Sequence, residues 1–267
     1  NKNILIISAT SDIGFDICKR WKKQGHNVIG SYRTKNSNYE KLSAMGIDLI
    51  HLDLSQKETI RSFLKSLSTH SNAWDILILC PANMEPIGNF TEVDIDKWEE
   101  TVNTNFTKQM GLLHKILPYK NKKETSSVIL FSGSGTNNAP AYYSAYTISK
   151  IASIKMMELL DAEIEDTKFM IYGPGWVKTK IHQQTLDAKE SVGEHYQTTL
   201  DKLDSNECTN IDTVIDAIEW GISMNKEVIG GRNISVVFDK WGSNELELEL
   251  KENKDMYKLR RYKNDWE

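Results

Sequence analysis

Short apolar runs alternate with amphipathic stretches along most of the chain. The runs cover residues 4–7, 28–32, 48–52, 76–79, 128–131, 168–172 and 233–238, and such runs are typical of strands buried on both faces. Ile13, Ile17 and Trp21 recur every four residues, which predicts a helix. Further helical stretches span about 96–117, 148–160 and 211–224. This alternation predicts an α/β fold: a Rossmann-type doubly wound parallel sheet of about seven strands with helices on both faces.

Two segments depart from this alternation. Residues 180–208 form a polar insert with a weak helical pattern, and inserts of this length are often lids or binding loops. Residues 243–267 are highly charged, with Leu alternating with Glu over 245–250. We therefore expect a single domain over residues 1–242, followed by a charged extension that is solvated or packs along an edge.

Composition narrows the class of protein. Of the 267 residues, 39% are hydrophobic and 26% are charged, which supports a core and excludes a disordered chain. The net charge of −4 gives no general attraction to nucleic acid or anionic lipid, and no apolar run approaches the roughly 18 residues of a membrane span. The cysteines and histidines lack the spacing of a metal site. We expect a cytoplasmic protein without a metal, nucleic-acid or membrane partner.

Candidate chemistry begins at the turn after the first apolar run. In an open parallel sheet, ligands bind beyond the carboxyl ends of the strands, and the first strand–turn–helix unit holds phosphates with its N–H groups. The turn residues of interest are Ser8, Thr10, Ser11, Asp12, Ile13 and Gly14. Only Gly14 remains of the three glycines in the usual fingerprint. The turn is therefore either a phosphate cradle or a plain tight turn.

The ends of the second and third strands add further polar side chains. Tyr32 ends the second strand and Arg33 directly follows it. At this strand end an acid would bind a ribose 2′-hydroxyl, whereas an arginine pairs with a 2′-phosphate. Asp53 follows the third strand, where a carboxylate could accept a hydrogen bond from an adenine amino group. Alternatively, Arg33 is a solvated surface residue, and Asp53 is a helix-entry acid beside a capping box of Ser55 and Glu58.

Tyr146 and Lys150 are the strongest candidates for catalysis. They lie four residues apart on a predicted helix and therefore share one face. A neighbouring ammonium group favours the phenolate and lowers the pKa of a tyrosine, so the pair suits proton transfer to or from an alcohol or carbonyl oxygen. The same Y-x-x-x-K spacing occurs at Tyr119 and Lys123, but the charged residues around them predict a surface loop.

Three further motifs surround this pair in a fixed order. Asn105 lies in the helical stretch before the fifth strand, and Ser132 and Ser134 follow that strand directly. The sixth strand ends in the stretch Gly-Pro-Gly-Trp-Val-Lys-Thr at residues 173–179. In this order of motifs the chain resembles the short-chain dehydrogenase/reductase family, in its form of roughly 250 residues. The resemblance covers about residues 3–240 and depends on the whole set of motifs.

The resemblance implies roles for the catalytic candidates. Tyr146 would be the general acid, Lys150 would hold the nicotinamide ribose and lower the pKa of Tyr146, and Asn105 would anchor a water in the proton relay. Ser132 or Ser134 would bind the substrate carbonyl oxygen, and Ser134 is favoured.

The resemblance also implies a nicotinamide dinucleotide as cofactor. Arg33 beside Tyr32 matches the arginine of members that prefer NADP(H) over NAD(H). The other implied cofactor contacts are the turn residues given above together with Asp53, Leu54, Cys80, Pro81, Ala82, Ser132, Pro174, Gly175, Val177 and Thr179. The polar insert matches the substrate-binding loop of the family, whose members are usually homodimers or homotetramers.

Several positions depart from the family pattern. Ser8 and Asp12 replace the first two glycines of the cradle, where Ser8 would crowd the pyrophosphate and Asp12 would repel it unless it caps the helix. Residues 79–82 read Leu-Cys-Pro-Ala in place of Asn-Asn-Ala-Gly. Gly133 stands at the position of the usual catalytic serine, thirteen residues before Tyr146.

These observations predict an NADPH-dependent carbonyl reductase or alcohol dehydrogenase acting on a small molecule. The altered cradle and Gly133 motivate an alternative, a non-catalytic dinucleotide- or nucleotide-sugar-binding protein of the same fold. An NAD-dependent oxidation is a further alternative that Arg33 opposes. Finally, the C-terminal region resembles a branch of the family associated with surface carbohydrate biosynthesis, which implies a sugar or nucleotide-sugar substrate. That likeness rests on residues 231–241 with Leu259, Arg260, Arg261, Asp265 and Trp266.

Overall fold

Seven parallel strands form one sheet in the part of the chain that the structure describes. The structure is a computed structural model and describes residues 1–69, 73–188, 192–205 and 207–263. The strands are β1 (Asn3–Ile7), β2 (Asn27–Tyr32), β3 (Asp48–His51), β4 (Ile76–Leu79), β5 (Ser126–Phe131), β6 (Thr167–Gly173) and β7 (Asn233–Ser235). Their spatial order is β3-β2-β1-β4-β5-β6-β7, so the direction of winding reverses between β1 and β4. The predicted doubly wound parallel sheet is confirmed.

Helices cover both faces of this sheet. They are α1 (Asp12–Lys23), α2 (Ser37–Ala44), α3 (Lys57–Thr69), α4 (Ile95–Val102), α5 (Lys108–Ile116), α6 (Ser144–Glu163), α7 (Ile181–Ala188), α8 (Glu194–Asp204), α9 (Ile211–Ser223), α10 (Lys226–Ile229) and α11 (Asn244–Glu252). A π-helical turn, Asn103–Thr107, joins α4 to α5, and a 3-10 turn, Leu117–Tyr119, follows α5. Within the described ranges, no helix has the length and apolar character needed to cross a membrane.

The core consists of two apolar layers, one on each side of the sheet. Along β1, Ile4 and Ile6 pack in the layer that contains α1 and α9, whereas Leu5 and Ile7 pack in the layer that contains α3, α5 and α6. Successive side chains of a strand point to opposite faces, so a strand between two helical layers must be apolar at every position. This requirement explains why the central strands were predictable as unbroken apolar runs.

The last strand is shorter than its apolar run predicts. β7 ends at Ser235, although the run continues to Phe238. The Ser235 N–H donates to the Asp239 carboxylate at 2.6 Å, and the Phe238 N–H donates to Ser235 Oγ at 3.2 Å. These local bonds turn the chain away from the sheet and leave Phe238 exposed.

The capping box predicted at the start of α3 does not form. The helix begins at Lys57, and Ser55 lies outside it. The N–H and hydroxyl of Ser55 both donate to Oδ1 of Asp53, at 2.8 and 2.7 Å. An aspartate that bonds to a backbone N–H two residues later forms an Asx turn, so Asp53 rather than Ser55 organises this entry.

The charged extension packs along the edge of the fold rather than extending into solvent. Its helix α11 buries Leu246 and Leu250. The guanidinium of Arg232, whose side chain is almost fully buried, donates to the carbonyls of Leu250, Asn253 and Met256 at 2.5 to 3.1 Å. Arg232 directly precedes β7, and its hydrogen bonds therefore hold the C-terminal end of α11 beside this edge strand.

The polar insert folds into α7 and α8, which we call the lid. Val192, between the two helices, is buried against Ile87 and Tyr143. The Tyr143 hydroxyl and Thr185 Oγ1 of α7 lie 3.1 Å apart. The lid is therefore closed down on the loop after β4 and the start of α6.

Candidate active site

The turn after β1 keeps a glycine-like backbone although serine stands in it. Ser8 has φ of 61°, in the left-handed region that favours glycine. Ser11 caps α1 by accepting from the Gly14 N–H at 3.2 Å, and a Cβ added to Gly14 would lie 2.5 Å from the Ser8 carbonyl oxygen. Among the described hydrogen bonds, the N–H groups of Asp12 and Ile13 find no acceptor. The start of α1 therefore offers two donors to an anion.

Side chains from β2 and the following loop fix this turn. The Ser8 N–H donates to Ser31 Oγ at 2.9 Å. Thr10 is buried, and its carbonyl accepts from the side-chain amides of Asn36 and Asn38 at 3.3 and 3.2 Å. These contacts stabilise the observed conformation of the turn.

Aromatic and basic side chains gather at the end of β2. The Tyr32 ring lies 4.6 Å from the Tyr39 ring and 5.4 Å from the His51 ring, measured between centroids. Lys35 Nζ lies 5.2 Å from the Tyr39 centroid, and both Arg33 and Lys35 are exposed. Two cationic groups therefore flank the end of β2, and no acidic residue stands between residues 28 and 39.

Asp53 lies across from this cluster at the end of β3. Burial by itself raises the pKa of Asp53, but the hydrogen bonds from Ser55 and the charges of Arg33 and His51 outweigh burial and hold the pKa below its ordinary value. The carboxylate is therefore ionised and already bonded within its own turn. The neighbouring Leu54 packs against the layer that contains α3.

The chain after β4 departs most from the expected amide-rich stretch. The Cys80 N–H donates to the Ile7 carbonyl at 3.1 Å, and burial raises the pKa of the Cys80 thiol to about 12. The Pro81 carbonyl accepts from Gln109 Nε2 at 3.0 Å, and Ala82 is exposed. Residue 80 therefore contributes a neutral thiol to this edge of the sheet.

The phenol of Tyr146 packs directly on Gly133 beyond the end of β5. A Cβ added at residue 133 would lie 2.6 Å from the Tyr146 hydroxyl oxygen, so the two compete for one space. Ser132 is buried and donates its hydroxyl to Asn233 Oδ1 at 2.8 Å. Ser134 is exposed, and its hydroxyl has no partner among the described residues. Of the two serines, Ser134 has the hydroxyl that is free to reach a ligand.

Lys150 lies one turn along α6 from Tyr146, as its spacing predicts. Its Nζ donates to the Phe131 carbonyl at 2.9 Å and lies 5.5 Å from the centroid of the Tyr146 ring. Burial lowers the pKa of Lys150 to about 8 and raises the pKa of Tyr146 to about 12. In this structure burial therefore raises the Tyr146 pKa, opposite to the expected lowering.

Asn105 occupies the π-helical turn and is buried. Its Oδ1 accepts from the Asn83 N–H at 2.8 Å, and its Nδ2 donates to the Asn83 carbonyl at 2.7 Å and to Ser149 Oγ at 3.2 Å. Ser149 Oγ in turn donates to the Tyr146 carbonyl at 2.7 Å. Asn105 is thus linked to the helix that carries Tyr146 and Lys150. Single π turns inside α-helices often occur at functional sites.

The segment that follows β6 forms the last part of the carboxyl edge of the sheet. Pro174 and Thr179 are partly exposed there, and Val177 is buried. Gly175 has φ of 73°, and a Cβ added to it would lie 2.4 Å from Val237 Cγ2, so only glycine fits. A cleft of about 150 Å³ separates this segment from the start of α1.

Asp12 turns away from the free N–H groups of α1. Its Oδ2 accepts from the Lys180 N–H at 2.7 Å, just before α7. The aspartate therefore acts as a cap, but on the lid helix rather than on its own helix.

Three residues with contacts at this edge were not predicted. Lys35 lies beside Arg33, and Asn83 and Gln184 bond to each other across 101 residues of sequence. Asn83 directly follows the altered stretch 79–82, whereas nothing in the sequence marks Gln184. In the described ranges, no group of three or more His, Cys, Asp or Glu side chains is placed to hold a metal ion.

A doubly wound sheet with polar side chains at its carboxyl edge defines the class of dinucleotide-binding α/β proteins. Within that class, a family model described as short chain dehydrogenase matches residues 2–190. The chain belongs to the short-chain dehydrogenase family and is an NAD(P)-dependent oxidoreductase.

Individual relatives agree with this assignment. Human dehydrogenase/reductase SDR family member 2, mitochondrial, is 25% identical over 248 residues, which are 88% of this chain and 85% of that protein. A short-chain dehydrogenase/reductase structure from Saccharomyces cerevisiae has a TM-score of 0.78 at 20% identity, covering 92% of this chain and 98% of that one. A short-chain dehydrogenase from Shigella flexneri, solved in complex with NADP, has a TM-score of 0.74 at 17% identity, covering 88% and 97%.

Proposed function

We propose that the protein is an NADPH-dependent carbonyl reductase, with the reverse alcohol oxidation available, and that Tyr146 protonates the substrate oxygen. One observation carries this proposal: the Tyr146 phenol, the buried Lys150 ammonium group and the Asn105 network meet beyond the end of β5. Burying a lysine against a tyrosine costs free energy. A protein that only binds a dinucleotide has no need of that arrangement.

The residues present fit a nicotinamide dinucleotide. The two free N–H groups at the start of α1 suit the pyrophosphate, and the Asp12 carboxylate is directed at Lys180, which reduces its repulsion of an anion. Asp53 and Leu54 would flank the adenine, residues 80–82 would lie below the adenosine, and the segment from Pro174 to Thr179 would hold the nicotinamide. When bound, the reduced nicotinamide supplies a hydride to the carbonyl carbon.

The end of β2 supports a preference for NADP(H) over NAD(H). Arg33 and Lys35 are both exposed there, and an arginine guanidinium can bond a phosphate with two parallel hydrogen bonds. An NAD-binding protein of this class carries an acid at the same place. The NADP complex of the Shigella flexneri relative is in line with this preference.

The chain supplies the proton and the stabilising charges. Tyr146 keeps its proton across neutral pH because burial raises its pKa to about 12, so the hydroxyl is available to protonate the carbonyl oxygen. Lys150 is mainly charged below pH of about 8 and would stabilise the phenolate that Tyr146 leaves behind. Asn105 would anchor the water that returns a proton, and Ser134 would polarise the carbonyl. Hydride and proton together convert the carbonyl to an alcohol.

The test compares Tyr146→Phe with Tyr119→Phe, the tyrosine of the second Y-x-x-x-K match. We expect Tyr146→Phe to lower kcat by about 100- to 10,000-fold, because a general acid contributes that much. Its affinity for NADPH, measured by nicotinamide fluorescence, should stay within about twofold of the wild type. Tyr119→Phe should match the wild type in both measurements.

Two outcomes would contradict the proposal. Full turnover by Tyr146→Phe would remove Tyr146 as the acid. A wild-type protein that binds NADPH tightly but turns over no carbonyl would favour the alternative, a non-catalytic binding protein. The motive for this alternative is Gly133, which stands at the position of the usual catalytic serine.

The substrate panel should contain sugars oxidised to aldehydes or ketones and small apolar carbonyl compounds such as diacetyl. The prediction of a sugar-type substrate depends on the C-terminal residues that resemble the carbohydrate branch. Of these, Arg232 has a structural role, and Asp265 and Trp266 lie outside the described residues. Ile87 and Tyr143 pack against Val192 beneath the lid, and the panel therefore includes apolar carbonyl compounds beside the sugars. The homo-oligomer and the cytoplasmic location stay predictions.

A further inference from the structure

Besides the packing of Val192 on Ile87, Gln184 of α7 forms the side-chain hydrogen bonds between the described part of the lid and the loop after β4. Its Oε1 accepts from the Met84 N–H at 2.8 Å, and its Nε2 donates to Asn83 Oδ1 at 2.8 Å. Both ends of the amide are used, and each faces a group of the opposite hydrogen-bonding character. Such a contact specifies one position of α7 relative to this loop.

Asn83 connects this contact to Asn105. Its side-chain Oδ1 accepts from Gln184, and its Nδ2 donates to Thr101 Oγ1 at 2.8 Å and to the Glu85 carbonyl at 3.2 Å. Its backbone N–H and carbonyl form the reciprocal pair of bonds with the Asn105 amide. Asn83 is therefore bonded to the lid on one side and to the π-helical turn on the other.

We propose that Gln184 is a positioning residue that couples closure of the lid to the orientation of Asn105. This inference rests on the proposed function for its catalytic consequence, but the coupling itself does not depend on turnover. α7 and α8 are packed on Ile87 and Tyr143, so a substrate that enters between these helices and the loop after β4 displaces this packing. Opening breaks both bonds of Gln184 and leaves the Asn83 side chain held at its Nδ2 alone. This removes one of the supports of the Asn83 backbone, to which the Asn105 amide is bonded. The proton relay is then fully ordered only when the lid has closed.

The test compares Gln184→Ala with Gln183→Ala. Gln183 is the matched control because it precedes Gln184 on the same helix and is exposed. Among the described residues, its side-chain amide donates only to the surface residue Asp187, at 2.8 Å. Alanine favours a helix at either position. Loss of helix propensity therefore cannot distinguish the two variants.

The first measurement is hydrogen–deuterium exchange in the protein without ligand. We expect Gln184→Ala to speed amide exchange about tenfold in residues 83–84 and also in the π-helical turn, Asn103–Thr107. Gln183→Ala should leave both segments as in the wild type. Faster exchange at residues 83–84 with unchanged exchange in the π-helical turn would overturn the coupling, whether or not the protein is an enzyme.

The second measurement is steady-state reduction of diacetyl with NADPH. We expect Gln184→Ala to lower kcat about tenfold, with a larger solvent deuterium isotope effect on kcat and NADPH affinity within about twofold of the wild type. If the lid contact served only to hold substrate, KM would rise while kcat and the isotope effect stayed unchanged, and the proposal would be wrong. If no variant, including the wild type, turned over any carbonyl, the proposed function would fail, and the exchange measurement alone would decide the coupling.

Discussion

Replacing Lys150 by methionine should make the protein more stable while abolishing turnover. Lys150 is about 6% exposed, and within the described ranges its ammonium group has one hydrogen bond, to the Phe131 carbonyl. Burial lowers its pKa from 10.5 to about 8, and this difference corresponds to about 3 kcal/mol of unfavourable burial while the lysine is charged. Methionine has a similar length and no charge. The Phe131 carbonyl loses its hydrogen bond in the variant, which destabilises the folded state by about 1–2 kcal/mol. The net stabilisation is therefore about 1–2 kcal/mol.

Urea denaturation followed by tryptophan fluorescence measures this difference directly. The matched control is Lys155→Met on the same helix, where the lysine is exposed and forms an ion pair with Glu158 at 2.8 Å. A surface pair of this kind contributes at most about 1 kcal/mol, so Lys155→Met should be neutral or slightly destabilising. Its turnover should be unchanged, whereas Lys150→Met should show almost none.

The pH dependence supplies a second check on Lys150→Met. The folded protein holds the Lys150 proton less tightly than the unfolded chain does. Between about pH 8 and 10.5 the unfolded chain therefore binds more protons, and the free energy of unfolding of the wild type rises with pH. The advantage of Lys150→Met should therefore be largest below about pH 8 and shrink above it. A folded variant that is less stable than the wild type at about pH 7, or an advantage independent of pH, would refute the reasoning.

Two further substitutions test the cofactor edge. Arg33→Ala should weaken NADPH binding by about 10- to 100-fold and leave NADH binding unchanged, since a charge-assisted bond to phosphate contributes about 1.5–3 kcal/mol. Fluorescence titration with both cofactors measures the two affinities. An equal loss of affinity for NADPH and NADH would contradict Arg33 as the partner of the 2′-phosphate. Gly175→Ala should destabilise the protein by about 2–4 kcal/mol, because it combines backbone strain with a clash against Val237 and Thr209. Gly46→Ala is the control in the same urea assay, because Gly46 also has positive φ but an added Cβ meets nothing within 4 Å. An equal loss of unfolding free energy in the two variants would exclude the clash as a cause.

The parts of the molecule that could be predicted from sequence are those with local signals. A central strand such as β1 is apolar at every position because both of its faces are covered, and the run is visible without knowing its neighbours. Tyr146 and Lys150 share a face because one helical turn separates them. The doubly wound order then brings the strand ends together, which is why the catalytic and cofactor candidates could be placed at one edge.

The parts that could not be predicted depend on contacts between distant residues or on competing local bonds. Asp12 bonds to Lys180 across 168 residues, and no spacing rule anticipates that contact. The capping box failed because Asp53, two residues earlier, accepts both donors of Ser55. The direction of the Tyr146 pKa shift is set by burial of the phenol, which the spacing of the two residues leaves open.

The short strand β7 has a consequence for how copies of this protein meet one another. It is the outermost strand on its side of the sheet, and such strands can recruit a strand from another molecule through their unpaired N–H groups. Here the Asn233 N–H donates to the Tyr257 carbonyl at 2.9 Å, and the Ser235 N–H donates to the Asp239 carboxylate. Arg232 fastens the extension that brings Tyr257 to this position. The outward N–H groups at which intermolecular strand pairing would begin are thus already bonded, at Asn233 by the charged extension and at Ser235 by Asp239.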